Sequence, residues 1–115
     1  MNIERIVTQA LKKISVPCVQ LFWNDEKNVP NQYVTWVEIS RKTKVCADDN
    51  EILEEFYISV DIFSKYEISY TKLIEEIETN MKLNGFLKST YATAKYEKDT
   101  GYVHKPLSFK YYKQK

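Results

Sequence analysis

The sequence predicts an α+β domain in which two helices pack on one face of a mainly antiparallel sheet built from two long hairpins. Two segments carry apolar residues at three- and four-residue spacing, as amphipathic helices do, and four others alternate apolar and polar residues, as half-buried strands do. Their order is helix, hairpin, helix, hairpin (α-β-β-α-β-β), with a possible extra short strand after the first helix. The 115 residues fit a single domain over the whole chain.

The composition narrows the classes of partner. The formal net charge is +1, which gives no general attraction to nucleic acid or to an anionic membrane. No segment has the apolar length of a signal peptide or a membrane span, so we expect a protein made inside a cell. Cys18 and Cys46 are expected to be buried thiols rather than a disulfide pair.

The first helix is predicted by an apolar stripe. The stripe consists of Ile3, Ile6, Val7, Ala10, Leu11 and Ile14. Asn2 is placed to cap the start of the helix, and Pro17 prevents its continuation. Val19 to Trp23 is apolar enough for a short strand, and residues 24–32 form a polar loop.

The first hairpin is predicted by two alternating segments. Alternation from Tyr33 to Val45 places one set of side chains against a core and the other toward solvent or a partner. Asp48-Asp49-Asn50 is a turn cluster. The returning strand has one strongly apolar row, made of Phe56, Ile58, Val60 and Ile62.

The second helix is predicted to begin after Ser69, its expected N-cap, and to run from Tyr70 to Leu83. Gly85 stands where the end of a helix favours a residue with left-handed backbone.

The second hairpin is predicted from residues 86–97 and 102–112, joined by the tight turn Lys98-Asp99-Thr100-Gly101. Pro106 has no N–H to donate to a neighbouring strand. We therefore expect the last strand to be an edge strand or to be bulged at Pro106.

No constellation in the sequence predicts catalysis, a cofactor or a metal ion, so we expect a protein that is not an enzyme. The two glycines are sixteen residues apart, which excludes a glycine-rich phosphate loop. His104 lies in a predicted strand without a paired nucleophile, and Cys46 has no histidine near it in the sequence. The acids between Asp48 and Glu55 lack the spacing and the central glycine of a calcium-binding loop.

Single-stranded nucleic acid is one alternative partner. Basic and aromatic side chains that could bind a phosphate backbone and stack on bases occur close together in the first hairpin, at Tyr33, Trp36, Arg41, Lys42 and Lys44. The near-zero net charge and the missing ribonucleoprotein motifs favour a solvent-facing strand instead.

Charge is segregated along the chain. Residues 48–55 contain five acids and no base, whereas four bases and no acid occur in the C-terminal segment, at Lys105, Lys110, Lys113 and Lys115. Two complementary patches are what head-to-tail association into a ring requires. Ordinary surface charge explains the same pattern equally well, so the ring is a hypothesis.

Several features follow one another in a distinctive order. They are the N-terminal helix, the strand opening Tyr33-Val34-Thr35-Trp36-Val37-Glu38, the turn Ala47-Asp48-Asp49-Asn50, the strand from Tyr57 to Phe63, the helix followed by Gly85-Phe86, the stretch from Tyr96 to Lys105 and the closing segment from Leu107 to Tyr111. In this layout the chain resembles the tail-terminator, or tail-completion, proteins of long-tailed bacteriophages and prophages. The resemblance covers nearly the whole chain and is one of pattern.

This resemblance implies a virion protein, assembled in the cytoplasm of the bacterial host, that forms a hexameric ring at the head-proximal end of the tail tube. Such a ring stops the polymerisation of the tube and joins it to the head connector, without a cofactor. The implied partners are further copies of the chain, the tail tube protein and a head-completion or connector protein, with no membrane and no specific nucleic acid. We expect the contact residues in the acidic turn and the second hairpin, at Asp48, Asp49, Glu51, Asp99, Thr100, His104 and Lys105. Another neck component, or a small nucleic-acid-binding module, is the alternative.

Overall fold

Two helices and six strands make up the residues that a computed structural model describes, 2–46 and 51–114. In chain order they are α1 (Ile3–Leu11), β1 (Cys18–Gln20), β2 (Gln32–Cys46), β3 (Glu51–Lys65), α2 (Thr71–Leu83), β4 (Leu87–Tyr91), β5 (Lys95–Glu97) and β6 (Tyr102–Gln114). This order confirms the predicted α+β class, including the extra short strand after the first helix.

The strands form one sheet in the order β1-β2-β3-β6-β4, and β5 pairs with β6 on the same side as β4. All pairings are antiparallel except that of β1 with β2, which is parallel. The sheet is therefore mainly antiparallel, as predicted. The long strands give the molecule an elongated shape of 52 × 24 × 23 Å.

Both helices pack on the same face of this sheet, called the covered face below. The apolar row of β3 lies on it and is at most 4% exposed. The stripe of α1 joins this row in a single core, together with buried residues of the other elements: Val34, Trp36, Leu73, Ile77, Met81, Phe86, Leu107 and Phe109. The opposite face, called the open face, has no helix against it. This arrangement confirms the predicted placement of the helices, because each buries one apolar stripe.

The caps of the helices agree with the sequence in two places out of three. The Asn2 side chain accepts a hydrogen bond from the backbone N–H of Glu4 at 2.9 Å, so it caps α1 as expected. Gly85 has φ +91°, and the N–H groups of Gly85 and Phe86 close the end of α2 in a Schellman motif. The predicted cap at Ser69 is wrong: the N-cap is Tyr70, without a side-chain cap, and the Ser69 carbonyl instead accepts from the Gln32 amide.

The prediction of one strand over residues 86–97 is wrong, because β4 and β5 are separate. The prediction that the last strand lies at an edge is wrong as well, since β6 has β3 on one side and β4 and β5 on the other. The alternative, a bulge at Pro106, does not occur in the pairing with β3, whose register is continuous there. Pro106 lies opposite the break, because β5 pairs with β6 through His104 and β4 pairs from Leu107 onward. Pro106 pairs in register with Asp61 of β3 on one side, and on the other side no residue of β4 or β5 pairs with it, so a missing N–H is tolerated at the break.

The regular alternation predicted for β2 is interrupted by an irregularity between Glu38 and Ser40. Before the irregularity the even-numbered residues of β2 lie on the covered face, and beyond it the odd-numbered residues do. Arg41 therefore lies over the ring of Phe56 on the covered face. Ile39, at the irregularity, is 57% exposed. Bulges of this kind also make an edge strand less available for pairing with another chain.

Candidate assembly surfaces

The predicted contact residues do not form one patch. Asp48 and Asp49 lie outside the described residues, and the backbone of Glu51 begins β3 opposite Cys46. Asp99 and Thr100 lie in the turn that enters β6, which is next to the other end of β3. The 15 residues of β3 span about 50 Å at roughly 3.3 Å per residue. Glu51 and the turn with Asp99 and Thr100 therefore lie near opposite ends of β3.

The turn with Asp99 and Thr100 is exposed and well fixed. The N–H of Gly101, with φ +76°, donates to the Glu97 carbonyl at 2.8 Å. The Thr100 side chain accepts from the N–H of Tyr102 at 3.3 Å, and its carbonyl accepts from Lys65 Nζ at 3.3 Å. The glycine allows the backbone to turn as the sequence predicted.

His104 and Lys105 point to opposite faces of β6. Lys105 pairs in register with Ile62 of the covered-face row, and its Nζ donates to the Ala92 carbonyl at 2.7 Å. This bond fixes the segment between β4 and β5, which gives Lys105 a role within the chain. His104 pairs with Phe63 on the open face.

A row of stacked rings crosses the open face. Tyr33, Phe63 and His104, on β2, β3 and β6, stack with centroid distances of 4.9 Å and 4.4 Å and interplanar angles of 10° in both pairs. Trp23 continues the row beside Tyr33 at 5.4 Å. Burial is the main cause that raises the pKa of Tyr33. The row gives the open face a rigid, partly apolar surface.

Beside this row lies a polar group of three side chains. The Ser59 hydroxyl donates to Asp61 Oδ1 at 3.0 Å, and His104 Nε2 lies 3.4 Å from the same oxygen, beyond a well-formed hydrogen bond. The serine is bonded to the carboxylate and not to the histidine. A nucleophile paired with a base, which covalent catalysis requires, is therefore not assembled by these three residues.

The basic and aromatic residues considered for nucleic acid lie on different faces. Trp36 is 4% exposed in the core of the covered face, whereas Tyr33 belongs to the row on the open face. Arg41 makes two hydrogen bonds with the carboxylate of Glu38, at 2.8 Å and 3.1 Å. Lys42 lies over the ring of Tyr57, which is on the open face with Tyr33. The burial of Trp36 and the ion pair of Arg41 therefore leave only part of the predicted set for stacking and charge.

The oppositely charged segments meet within one chain. β3 and β6 are neighbours in the sheet, and Glu54 pairs in register with Lys113. The buried Glu55 accepts a hydrogen bond from the Tyr57 hydroxyl at 2.8 Å. Part of the segregated charge is therefore matched inside the subunit, and association between subunits through these charges stays a prediction.

Two exposed apolar side chains were missed by the sequence reasoning. The strand predicted over residues 19–23 ends at Gln20, and Leu21 turns the backbone with φ +73°. Leu21 and Phe22 are then 59% and 65% exposed. The run Leu21-Phe22-Trp23 is the available signal, and its apolar character predicts a short strand instead. The left-handed leucine is what ends the strand early.

Cys18 is a free, partly buried thiol packed against the core, and its burial raises its pKa to about 12. The side chain of Cys46 lies outside the described residues. Within residues 2–46 and 51–114, no group of three or more His, Cys, Asp or Glu side chains is placed to hold a metal ion. No helix in that part of the chain is long and apolar enough to cross a membrane.

Comparison with known proteins shows a likeness of fold. No protein-family model matches the chain, and no curated protein matches it. A chain in the structure of the virion of a native gene transfer agent (GTA) particle superposes with a TM-score of 0.61 and 8% sequence identity. The match covers 95% of this chain and 92% of that chain. At this identity the likeness is one of fold, and the fold is one used in a gene transfer agent virion.

Proposed function

We propose that this protein is a structural component of a phage-like virion and acts there as a tail terminator. Several copies, six by the resemblance, would form a ring on the head-proximal end of the tail tube. The ring would stop the tube from growing and offer its other side to a head-completion or connector protein. Assembly would take place in the cytoplasm of the bacterial host.

The observation that carries this proposal is the shared fold with a gene transfer agent virion component over 95% of the chain. This shared fold agrees with the sequence layout, which resembles that of tail terminators.

The surfaces are also of the kind an assembly protein needs. A subunit 52 Å long, with one sheet face free of helices, has more β surface than its single core requires. Subunits in rings contact neighbours on two sides and other proteins above and below, so a large rigid surface is useful.

Electron microscopy of particles made without this protein tests the proposal. Overlong tails, whether or not they attach to heads, are expected for a terminator. Tails of normal length that fail only at attachment would favour another neck component. Normal, joined particles would contradict both roles.

The expected contact residues can be tested in the same particles. Charge reversal at Asp48, Asp49 and Glu51 is expected to disturb ring formation or tail length. Reversal of Glu67 and Glu75, both exposed and remote from that turn, is the matched control. Unchanged tails in the first variant would show that the acidic turn makes no essential contact.

A further inference from the structure

The segment after β1 presents two large apolar side chains to solvent. Leu21 and Phe22 are 59% and 65% exposed, and Val29 in the same loop is 38% exposed. Adjacent exposed apolar side chains of this size are typical of contact surfaces rather than of free solvent-facing loops. The loop lies at one edge of the sheet, because β1 is the first strand in the sheet order.

The backbone that presents them is strained. Leu21 has φ +73°, a left-handed conformation that a branched side chain disfavours. Two hydrogen bonds hold it there: Leu21 N–H to the Trp36 carbonyl at 2.8 Å, and Phe22 N–H to the Gln20 carbonyl at 2.9 Å. The chain thus keeps an unfavourable turn whose effect is to expose two apolar side chains, and strain of this kind concentrates at functional positions.

The loop behind them is ordered before any partner binds. Trp23 Nε1 donates to the carbonyls of Asp25 and Asn28 at 3.1 Å and 3.2 Å. The Asp25 carboxylate accepts from the Lys27 N–H and from the Asn28 amide. A preorganised loop loses little conformational freedom on association, which favours tight binding.

The opposite edge of the sheet carries a matching depression. A cleft of about 290 Å³ lies between α2 and β4, near Lys82, Leu87 and Lys88. Leu87, which lines it, is 50% exposed. The volume is near the lower end for pockets that hold small ligands, roughly 300 Å³, so one aromatic side chain can enter.

The two edges are also complementary in charge. The protruding loop carries the exposed Asp25, Glu26 and Lys27, two acids and one base. The charged residues of the cleft are one acid and two bases, Glu78, Lys82 and Lys88, and Lys88 Nζ lies 3.4 Å from Glu78 Oε2, so Lys82 is the base outside that ion pair. An apolar centre with a charged rim of opposite sign is the usual composition of a specific interface. Since the patches differ and lie on opposite edges, repeated contact between them is head-to-tail.

We propose that Phe22 and Leu21 of one copy bind in the α2–β4 cleft of the next copy, and that this contact builds the ring. The inference rests on the proposed function for the existence of the ring and adds the surface that forms it. The occupant is a second copy of this chain, because the volume of the cleft admits one aromatic side chain and the two patches carry net charges of opposite sign.

The main test compares Phe22→Asp with the wild-type chain by native mass spectrometry and light scattering. We expect the dissociation constant of the contact to rise at least about thirtyfold, since loss of an interface anchor is worth this much or more. Tyr66→Asp is the matched control, because Tyr66 is 67% exposed and lies outside both patches. Circular dichroism verifies that each variant is folded.

Mixing two variants tests the head-to-tail geometry. Phe22→Asp and Leu87→Asp are each expected to be monomeric, but each keeps one intact half of the contact. An equimolar mixture should therefore give a heterodimer that cannot grow further. A mixture that stays monomeric would overturn the proposed pairing.

Charge reversal tests the rim. Glu26→Lys and Lys82→Glu should each weaken the contact about two- to tenfold, and the double variant should recover most of the loss. Losses that simply add in the double variant would contradict the pairing of these two edges.

The outcomes separate the two proposals. Rings that persist in Phe22→Asp would remove this interface and leave the proposed function intact. A wild-type chain that stays monomeric at high concentration, with tails of normal length in particles lacking it, would remove the proposed function and the interface together.

Discussion

The two faces of the sheet are made by the same strands and yet have opposite characters. On the covered face Ile58, Val60 and Ile62 of β3 are fully buried beneath the two helices. The residues between and after these, on the open face, are the buried Ser59 and the partly buried Asp61 and Phe63. The period of two in a strand separates the two sets completely.

This difference means that the covered face stabilises the fold, whereas the open face and the edges are left for contacts with other proteins. Burial of large apolar side chains is the main favourable term in folding, and it is concentrated on the covered face. The open face instead holds rings stacked on one another and polar side chains bonded to one another, so it stays ordered without a cover. The edges of the sheet then supply the apolar protrusion and the cleft.

The largest effect is expected on the covered face. Ile58→Ala should lower the free energy of unfolding by about 3 kcal/mol, because the residue is fully buried and its removal leaves a cavity. Ile52→Ala is the matched control: it lies in the same strand but is 40% exposed, and its loss should stay below about 1 kcal/mol. Urea denaturation measures both. Equal losses would show that the hairpin end of β3 is packed as tightly as its centre.

A smaller effect is expected where the covered face meets the end of α2. Gly85 has φ +91°, which an alanine disfavours, and a Cβ added there would lie 3.1 Å from Tyr111 Cε2. Gly85→Ala should therefore lower the free energy of unfolding by about 2 kcal/mol. Gly101→Ala, at φ +76°, would meet only Lys65 Nζ at 3.9 Å and should cost about 1 kcal/mol. Thermal unfolding compares the two variants. A larger loss at Gly101 would contradict the role of the Tyr111 contact.

The open face should respond less. Phe63→Leu keeps most of the apolar volume but removes two stacked contacts, with Tyr33 and His104, and should cost about 1 kcal/mol. A double-mutant cycle with His104→Leu isolates the second contact in urea denaturation. Strict additivity in that cycle would mean that the stacked rings contribute only by their area.

The smallest effect at neutral pH is expected for Cys18→Ala, which tests the environment of β1. The folded thiol has its pKa raised to about 12, from 9.0 as the ordinary value, because it is partly buried. Between these values the folded chain holds a proton that the unfolded chain loses, so wild-type stability falls as the pH rises from about 9 to about 12. The wild type should therefore lose stability relative to Cys18→Ala over this range. A constant difference up to pH 11 would contradict the burial of the thiol.

The sequence located several residues of the candidate surface, but it did not show which of them lie next to one another. The turn with Asp99 and Thr100 was found because its glycine requires positive φ, which is a local property. The position of His104 against Phe63 and Asp61 depends on the register between β3 and β6, which the sequence does not fix locally. The Leu21–Phe22 protrusion was missed because an apolar run indicates burial unless the backbone is known to turn.

The sequence by itself determined the two helices with their apolar stripes, the Asn2 cap, the turns at Gly85 and Gly101, and the buried row of β3. Each of these features depends on residues a few positions apart. Only the tertiary structure decided that β6 lies inside the sheet, that the strand over residues 86–97 is broken opposite Pro106, and that β2 is irregular near Ile39. These features depend on which strands become neighbours. Pairing of that kind is a balance among contacts distant in the sequence, and no local pattern records it.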